Sequence, residues 1–213
     1  MKRMKAVISM AAVYAAALLA LAGCSSGDSD RDPYEVQDGV FKKCDRDVSG
    51  EFVIPDGVTE IGEKAFLDCT SLESVTIPDS VTKIGDCAFS YCTSLASVNI
   101  PSSVTEIGDY AFEECTSLES VTIGSKAYVS FHGCTSLKSV IILDGVTEIR
   151  IAFSDCASLE SITIPSSVKK IGVGFNNCEN FKTVNYDGSS EDWEHIGGDS
   201  FFDKDKVNYV VKK

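Results

Sequence analysis

Histidine, tryptophan and methionine are rare in this sequence: its 213 residues include two, one and three of them, respectively. Histidine is the commonest metal ligand and general acid–base residue, so two separated copies exclude a histidine-rich metal centre. His132 stands two positions before Cys134, but side chains at that spacing in a turn point to different sides, which argues against a catalytic pair. The chain also lacks a metalloprotease helix motif, a nucleophile elbow and a phosphate-binding loop. These absences predict a protein that is not an enzyme and holds no cofactor or metal.

Positive charge is also scarce, with 19 lysines and arginines against 32 aspartates and glutamates and a net charge of −13. Three of the positive charges, at Lys2, Arg3 and Lys5, precede an apolar run from Ala6 to Ala22. This run is shorter than most membrane-spanning helices and fits a secretory signal. Removal of the signal would lower the net charge to −16. Because nucleic-acid binding needs a basic footprint, nucleic acid is excluded as an expected partner.

The end of this signal predicts an anchor. Its last residues, Leu21, Ala22, Gly23 and Cys24, resemble the lipobox of bacterial lipoproteins, whose signal peptide is removed just before a cysteine that carries the lipid. The resemblance implies a signal peptide over residues 1–23, lipid attachment at Cys24 and a membrane anchor in the bacterial envelope. A plain secretory signal and an uncleaved anchor helix are the alternatives.

The segment after Cys24 is polar and acidic, which predicts a flexible tether over residues 24–37. Its acidic residues also resemble surface-export signals of some bacterial lipoproteins, although a solvated linker explains them equally well.

The rest of the chain is periodic, and a fixed period of twenty to fifty residues indicates a repeat architecture. Six cysteines follow one another at intervals of 23, 23, 19, 22 and 22 residues: Cys69, Cys92, Cys115, Cys134, Cys156 and Cys178. A phenylalanine stands three residues before each cysteine: Phe66, Phe89, Phe112, Phe131, Phe153 and Phe175. Alternation in segments such as Ser74–Pro78 predicts a short strand with one buried face. Since a single coil cannot bury its apolar side, we expect the coils to stack so that each phenylalanine covers the next.

The repeated unit resembles a known family. CTSLESVTIPDSVTKIGDCAF, residues 69–89, is similar to the BspA-type leucine-rich repeat of bacterial surface proteins. The resemblance implies a mainly β, right-handed leucine-rich repeat solenoid of about six coils of 19 to 23 residues, with N- and C-terminal caps. It assigns residues 38–53 to the N-terminal cap, 54–185 to the solenoid and 186–213 to the C-terminal cap, where Tyr186, Gly188, Trp193 and Ile196 match the family's outgoing cap.

The six cysteines in register raise the question of disulfides. Equivalent positions in adjacent coils lie about 5 Å apart, but equivalent side chains point the same way, whereas a disulfide needs converging Cβ atoms. We therefore expect a ladder of buried thiols that pack as small apolar residues. Cys44 and Cys87 lie outside this register, and the sequence leaves open whether they are free thiols or form an occasional bridge.

The remaining candidate is the outward face of the strands. It is predicted to carry small polar groups, and the candidate binding residues are Ser74, Thr76, Asn99, Thr122, Ile141 and Thr163. Such residues cost little side-chain entropy to order and offer repeated hydrogen bonds to an extended partner, although hydroxyl-bearing residues are also simply soluble strand formers. Ile141 is the one large apolar residue in these rows and hence a candidate contact hot spot. Coil four has lost four residues between Ile123 and Phe131, together with the Val-Thr-Glu-Ile strand, so we expect a local dent or kink on the back of the stack near coils four and five, with Tyr128 nearby.

The family resemblance implies a function. It indicates a non-enzymatic, monomeric scaffold at the cell surface that binds host or neighbouring-cell proteins. One alternative is a structural envelope lipoprotein that binds the cell's own components. Another is a glycan-binding accessory protein, which is disfavoured because the repeated phenylalanines are expected inside the stack.

Overall fold

The computed structural model describes residues 33–124, 127–200 and 202–209. The signal segment, Cys24 and the predicted tether up to residue 32 lie outside the described residues. Within them the chain forms sixteen strands, numbered in chain order, and one short α-helix. All strand pairs are parallel except one antiparallel hairpin at the N-terminal end. No helix among the described residues is long and apolar enough to cross a membrane.

The strands form three sheets. The eight-stranded front sheet consists of β3 (Ser49–Val53), β5 (Ser71–Thr76), β7 (Ser97–Ile100), β9 (Ser120–Ile123), β11 (Ser139–Ile142), β13 (Ser161–Pro165), β15 (Thr183–Asp187) and β16 (Val207–Tyr209). The first back sheet consists of β1 (Tyr34–Gln37), β2 (Val40–Cys44), β4 (Glu60–Ile61), β6 (Lys83–Ile84) and β8 (Glu106–Ile107). The second back sheet consists of β10 (Ala127–Ser130), β12 (Glu148–Ser154) and β14 (Lys170–Asn176). This is the predicted mainly β solenoid of stacked parallel strands, with about seven turns.

Residue parity explains why the back of the solenoid is split into two sheets. In the 23-residue coils five positions separate the buried isoleucine from the buried phenylalanine, as in Ile84 and Phe89. An odd separation cannot keep both side chains inward on one strand, so the chain turns there through a residue with positive φ, which is Lys64, Cys87 or Tyr110. In the 22-residue coils the separation is four, and one strand carries Ile149, Ile151 and Phe153 inward.

The turn before each ladder cysteine is left-handed. The residue immediately before the cysteine has φ between 55° and 71° in every coil: Asp68, Tyr91, Glu114, Gly133, Asp155 and Asn177. Glycine, asparagine and aspartate adopt this conformation most easily. The recurrence of one backbone turn, with varied residues in it, shows that stacking imposes this geometry on the chain.

The predicted phenylalanine column runs through the centre of the stack. Adjacent rings from Phe66 to Phe175 lie 4.9 to 5.9 Å apart between centroids and are stacked. Phe66, Phe89, Phe112, Phe131 and Phe153 have no exposed surface. Phe41 extends the column at one end, with its ring 4.8 Å from that of Phe66. At the other end Phe202 packs edge-on against Phe175 at 5.2 Å.

The six predicted ladder cysteines hold consecutive coils together. The thiol of each donates a hydrogen bond to a backbone carbonyl of the preceding coil, and from Cys92 onward that carbonyl belongs to the phenylalanine of the column. The sulfur–oxygen distances are 3.1 Å for Cys92 to Phe66, 3.2 Å for Cys115 to Phe89, 3.2 Å for Cys134 to Phe112, 2.9 Å for Cys156 to Phe131 and 3.4 Å for Cys178 to Phe153. The thiols therefore add a hydrogen bond between consecutive coils at carbonyls that can accept two; the carbonyl of Phe66, for example, also accepts from the backbone N–H of Cys69.

Burial makes these thiols unreactive. Desolvation raises the pKa of Cys134 to about 12 and raises the pKa of Cys92, Cys115 and Cys156 as well. Since the thiolate is the reactive form, the buried thiols stay protonated at neutral pH. Cys69 differs, because a hydrogen bond with the thiol of Cys44 lowers its pKa.

The N-terminal region differs from its prediction in two respects. Tyr34–Gln37, assigned from sequence to the tether, form β1 and pair antiparallel with β2, because the ring of Tyr34 stacks on Phe41 at 5.5 Å. Residues 38–53 do not merely cover the first coil: β2 and β3 add a strand to the first back sheet and to the front sheet. Cys44, predicted to lie outside the register, is buried beside Cys69, with whose thiol it forms a hydrogen bond, and begins the ladder.

The C-terminal cap closes the other end. Helix α1 (Ser190–His195) begins at a capping box between Ser189 and Asp192 and buries Trp193 against the last coil. The Trp193 ring lies 4.9 Å from that of Tyr186, and both side chains are fully buried. A side chain at Gly198 would collide with the Trp193 ring, so a glycine is required where the chain crosses the indole.

Coil four corrects another expectation. The back strand predicted to be missing is present, since Ala127–Ser130 form β10 and pair with Ile149–Ala152 of β12. The back of the stack is divided at this coil, because β8 and β10 belong to different sheets; the dent or kink stays a prediction. The shortened coil can still pair because the four residues of β10 run straight into Phe131, without the turn that the longer coils need.

We expect Phe112→Ala to lower the free energy of unfolding by about 3–5 kcal/mol, because it removes a fully buried ring between two stacked neighbours. Tyr110→Ala is the matched control, since Tyr110 lies two residues earlier in the same coil and is 53% exposed. It should change stability by about 0.5 kcal/mol or less. Urea denaturation followed by circular dichroism measures both, and equal losses in the two variants would contradict the column.

We expect the thiols to react in two classes. In the native protein at pH 8 a thiol reagent should modify the half-buried Cys87 and Cys178 before any fully buried ladder cysteine. In denaturant without reductant, all eight cysteines of the described residues should react. A denatured count near zero would mean that the cysteines are paired and would contradict the ladder.

Candidate functional site: the outward face of the front sheet

The front sheet brings the predicted binding residues together on one surface. The pairing of β5, β7, β9, β11 and β13 sets the outward residues in two straight rows that cross the strands. One row contains serines and a threonine: Ser74, Ser97, Ser120, Ser139, Ser161 and Thr183. The other contains Thr76, Asn99, Thr122, Ile141, Thr163 and Asn185. All of these side chains are exposed or half-buried, so the surface is continuous.

Both rows extend one strand further than the sequence indicated. At the N-terminal end Glu51 pairs with Ser74 and Val53 pairs with Thr76. At the C-terminal end Asn208 pairs with Asn185. The caps therefore contribute to the same surface as the coils, and the available face is eight strands wide.

A third row borders the face and contains acidic and basic side chains that pair with each other. Neighbouring coils place Glu119 beside Lys138 and Glu160 beside Lys182, with nitrogen–oxygen distances of 3.1 and 3.3 Å. These pairs are exposed, so each contributes at most about 1 kcal/mol to stability. Their effect is to limit the net charge beside the hydroxyl rows in an otherwise acidic protein.

One apolar pair interrupts the polar surface. Ile141, the predicted hot spot, is 43% exposed, and Leu143, two residues later, is exposed by the same fraction. Sequence reasoning missed Leu143, although a signal exists: it occupies the position at which Pro78, Pro101 and Pro165 follow the strand in other coils. Ile141 lies between Thr122 and Thr163 in the register, so the apolar pair is surrounded by small side chains that leave it accessible.

The structure separates the two members of the possible Cys134–His132 pair. The sulfur of Cys134 donates to the carbonyl of Phe112 inside the stack. His132 instead lies with Nδ1 3.5 Å from a carboxylate oxygen of Asp155 in the next coil, where both side chains are partly exposed. Asn177 of the following coil donates to the same carboxylate at 2.7 Å. His132 therefore belongs to a polar column that links coils and has no contact with the thiol.

Cys87, the other cysteine outside the register, occupies a turn. It is half-buried as a free thiol, with a φ of 52°, in the position held by Lys64 and Tyr110 in neighbouring coils. Desolvation raises the pKa of Cys87, whereas a catalytic thiol needs a lowered one. Across the described residues, no three metal-ligating side chains converge.

Comparison with known proteins agrees with this architecture. The model of the BspA type leucine-rich repeat region matches residues 34–129 and 127–212, with six copies of the repeat. No curated protein is significantly similar to the chain.

Two solved structures are similar. A leucine-rich repeat protein from Eubacterium ventriosum is 26% identical with a TM-score of 0.59, and the match covers 76% of this chain and 50% of that one. The T. pallidum leucine-rich repeat protein is 30% identical with a TM-score of 0.56, over 75% of this chain and 81% of that one. The present chain thus corresponds to about half the length of the Eubacterium ventriosum protein.

These similarities concern the structural scaffold and do not identify a particular chemical reaction. Leucine-rich repeat solenoids are typically non-enzymatic binding scaffolds, and proteins of the BspA type are generally surface-associated bacterial proteins. The family model covers well over half of the 213 residues. The chain therefore belongs to the family of proteins with BspA-type leucine-rich repeats.

Proposed function

We propose that this protein is a non-enzymatic binding protein of the bacterial cell surface, and that the outward face of its front sheet binds a protein ligand of a host or neighbouring cell. The exposed Ile141–Leu143 pair within a surface of small hydroxyl groups carries the proposal. Fold alone does not define a ligand, so the argument rests on what this face offers chemically.

The hydroxyl rows suit an extended partner. Serine and threonine side chains are short, and ordering them at an interface costs less conformational entropy than ordering lysine or glutamate. Their regular spacing, about 4.8 Å between neighbouring strands, offers donors and acceptors at intervals that a polypeptide crossing the strands can meet repeatedly.

The apolar pair would provide the anchor. Binding energy is usually concentrated in a few apolar or aromatic residues surrounded by polar contacts that exclude water. Ile141 and Leu143 are the large apolar side chains exposed near the middle of the front sheet, whereas Val53 lies at its N-terminal edge. This arrangement supports a contact centred on β11.

The proposed location follows from the N-terminal sequence and the family. The lipobox-like segment supports a lipid at Cys24, and the acidic tether that follows would hold the solenoid away from the membrane. A structural role that uses the cell's own envelope components remains the second candidate, because the same hydroxyl surface would serve it. Glycan binding is third, since such sites favour exposed aromatic platforms and the phenylalanine column lies inside.

We expect Ile141→Ser/Leu143→Ser to weaken ligand binding by at least about tenfold in Kd, because it removes the anchor while leaving a soluble strand face. The probes are purified extracellular-matrix proteins and intact neighbouring bacteria, tested by surface plasmon resonance and by adhesion assays. Val53→Ser is the matched control, since it also removes an exposed aliphatic side chain, 47% exposed, from the same row. Equal binding by the double variant and the wild type would exclude the anchor, and no saturable binding to any probe would contradict this ligand class.

We expect proteases added to intact cells to remove the solenoid while a periplasmic control protein survives. Full protection of the wild-type solenoid would place it inside the envelope and favour the structural role.

We expect Cys24→Ser to abolish incorporation of a labelled fatty acid, because the thiol that would carry the lipid is absent. Ser25→Ala is the control and should retain the label.

A further inference from the structure

The three sheets in the described part of the chain have six edges, and five of them are short or irregular. β8 has two residues, β16 three and β10 four, while β1 and β3 have four and five residues and each contains a register shift. Short strands and bulges are devices that prevent open edges from pairing with other chains. β14 has none of them, because its seven residues pair with β12 without interruption.

The backbone of β14 has hydrogen-bonding groups directed outward. The N–H of Lys170 donates to Thr147, and the carbonyl of Asn176 accepts from Asp155. Groups alternate along a strand, so residues 170, 172, 174 and 176 bond toward β12. The N–H and C=O groups of Ile171, Val173 and Phe175 therefore face the open side, where none of the described residues forms a backbone hydrogen bond with them.

The described residues of the C-terminal cap, 186–200 and 202–209, do not pair with this edge. The cap adds β16 to the front sheet, whereas the second back sheet ends at β14. Phe202 covers the inner ring of Phe175, but Val173 and Phe175 are only half-buried, while the equivalent Ile151 and Phe153 of β12 are 2% and 0% exposed. The apolar side chains of β14 are therefore more exposed than those of β12, as expected for a strand that lacks a neighbour on one side.

The sequence of β14 is complementary to itself. KIGVGFN has the same pattern in both directions: polar, apolar, glycine, apolar, glycine, apolar, polar. Antiparallel pairing of two copies about Val173 sets Ile171 opposite Phe175 and Gly172 opposite Gly174. It also brings the exposed Lys169 at the start of one strand toward the exposed Glu179 beyond the end of the other, so the charges at the two ends are complementary.

We propose that β14 is a homodimer edge, at which two copies of this chain pair antiparallel through Lys170–Asn176 and join their second back sheets into one continuous sheet. A two-fold contact of this kind closes after two copies. One strand pair about 24 Å long buries less than the roughly 1,200–2,000 Å² of a stable interface, so the dimer forms only at high local concentration. This proposal replaces the monomer expected from the sequence, and it does not depend on the ligand of the front sheet.

The first test is sedimentation equilibrium of the full chain in density-matched non-ionic detergent, from about 1 to 300 μM, a range suited to a small interface. The wild type should rise from the mass of a monomer to that of a dimer and stop there. Val173→Pro should raise the dimer Kd at least about tenfold, because proline removes an outward N–H while leaving the ladder to β12 intact. Val53→Pro is the matched control. Val53 lies in the edge strand β3, where the N–H of Ile54, and not that of Val53, donates to the carbonyl of Thr76. This variant should therefore dimerise like the wild type.

A second pair of variants tests the register. Gly172 and Gly174 do not have positive φ, and a Cβ at Gly174 meets no atom within 4 Å while one at Gly172 meets Arg150 at 3.4 Å. Longer side chains therefore fit at both positions. In the proposed pairing these residues face each other in non-hydrogen-bonded positions about 4.5 Å apart. Gly172→Glu/Gly174→Glu places like charges opposite each other and should abolish the dimer, whereas Gly172→Lys/Gly174→Glu places opposite charges there and should retain it.

Several outcomes would overturn the proposal. A wild-type chain that stays monomeric throughout the range, as expected if another segment or a different protein covers β14, excludes it. Association that continues beyond two copies excludes the closed two-fold contact. Thermal unfolding establishes whether Val173→Pro is folded. A folded variant that dimerises like the wild type would contradict the proposed edge. If the variant is unfolded, the two charge variants test the proposal instead. Equal dimerisation of those two variants excludes the antiparallel register.

Discussion

Every other feature of this protein depends on the contact between consecutive coils inside the stack. A phenylalanine ring lies on the next ring about 5 Å away, and a neighbouring cysteine thiol donates to the carbonyl of the phenylalanine in the preceding coil. The apolar rings contribute buried area, and the thiols donate hydrogen bonds to phenylalanine carbonyls within that area. Because one column supplies both partners, a shift of one coil relative to the next would disrupt ring packing and hydrogen bonds together.

This arrangement explains why so many cysteines of this chain take part in architecture and not in chemistry. From Cys92 onward, a ladder cysteine is small enough for the turn, donates to the phenylalanine carbonyl of the preceding coil, and stays protonated because burial raises its pKa. Serine would supply the same donor but with a more strongly hydrated hydroxyl, whose burial costs more. The thiol therefore suits a position where a weak donor must lie among aromatic rings.

The interior also determines what the surface can do. Once the phenylalanines and the aliphatic strand residues face inward, the outward rows contain short polar groups whose spacing is set by the strands. The solenoid thus presents two distinct surfaces: the front sheet, with an apolar pair on hydroxyl rows, and the exposed edge of β14 at the end of the second back sheet. The first suits a foreign polypeptide across the strands, and the second suits another strand along its length.

The sequence by itself determined the repeat, the phenylalanine column, the six-cysteine register and the outward rows, because each of these recurs at a fixed interval and recurrence identifies equivalent positions. It also located Ile141, since one apolar residue stands out in a polar row. It did not determine the role of Cys44, the strand at Ala127–Ser130 or the pairing of Tyr34–Gln37, because each depends on a packing partner that the repeat motif does not identify: the thiol of Cys69, strand β12 and strand β2, respectively. The open edge of β14 was likewise decided by tertiary structure alone: whether a strand has a neighbour depends on where the cap places its last strand, and that is a property of packing across the whole stack.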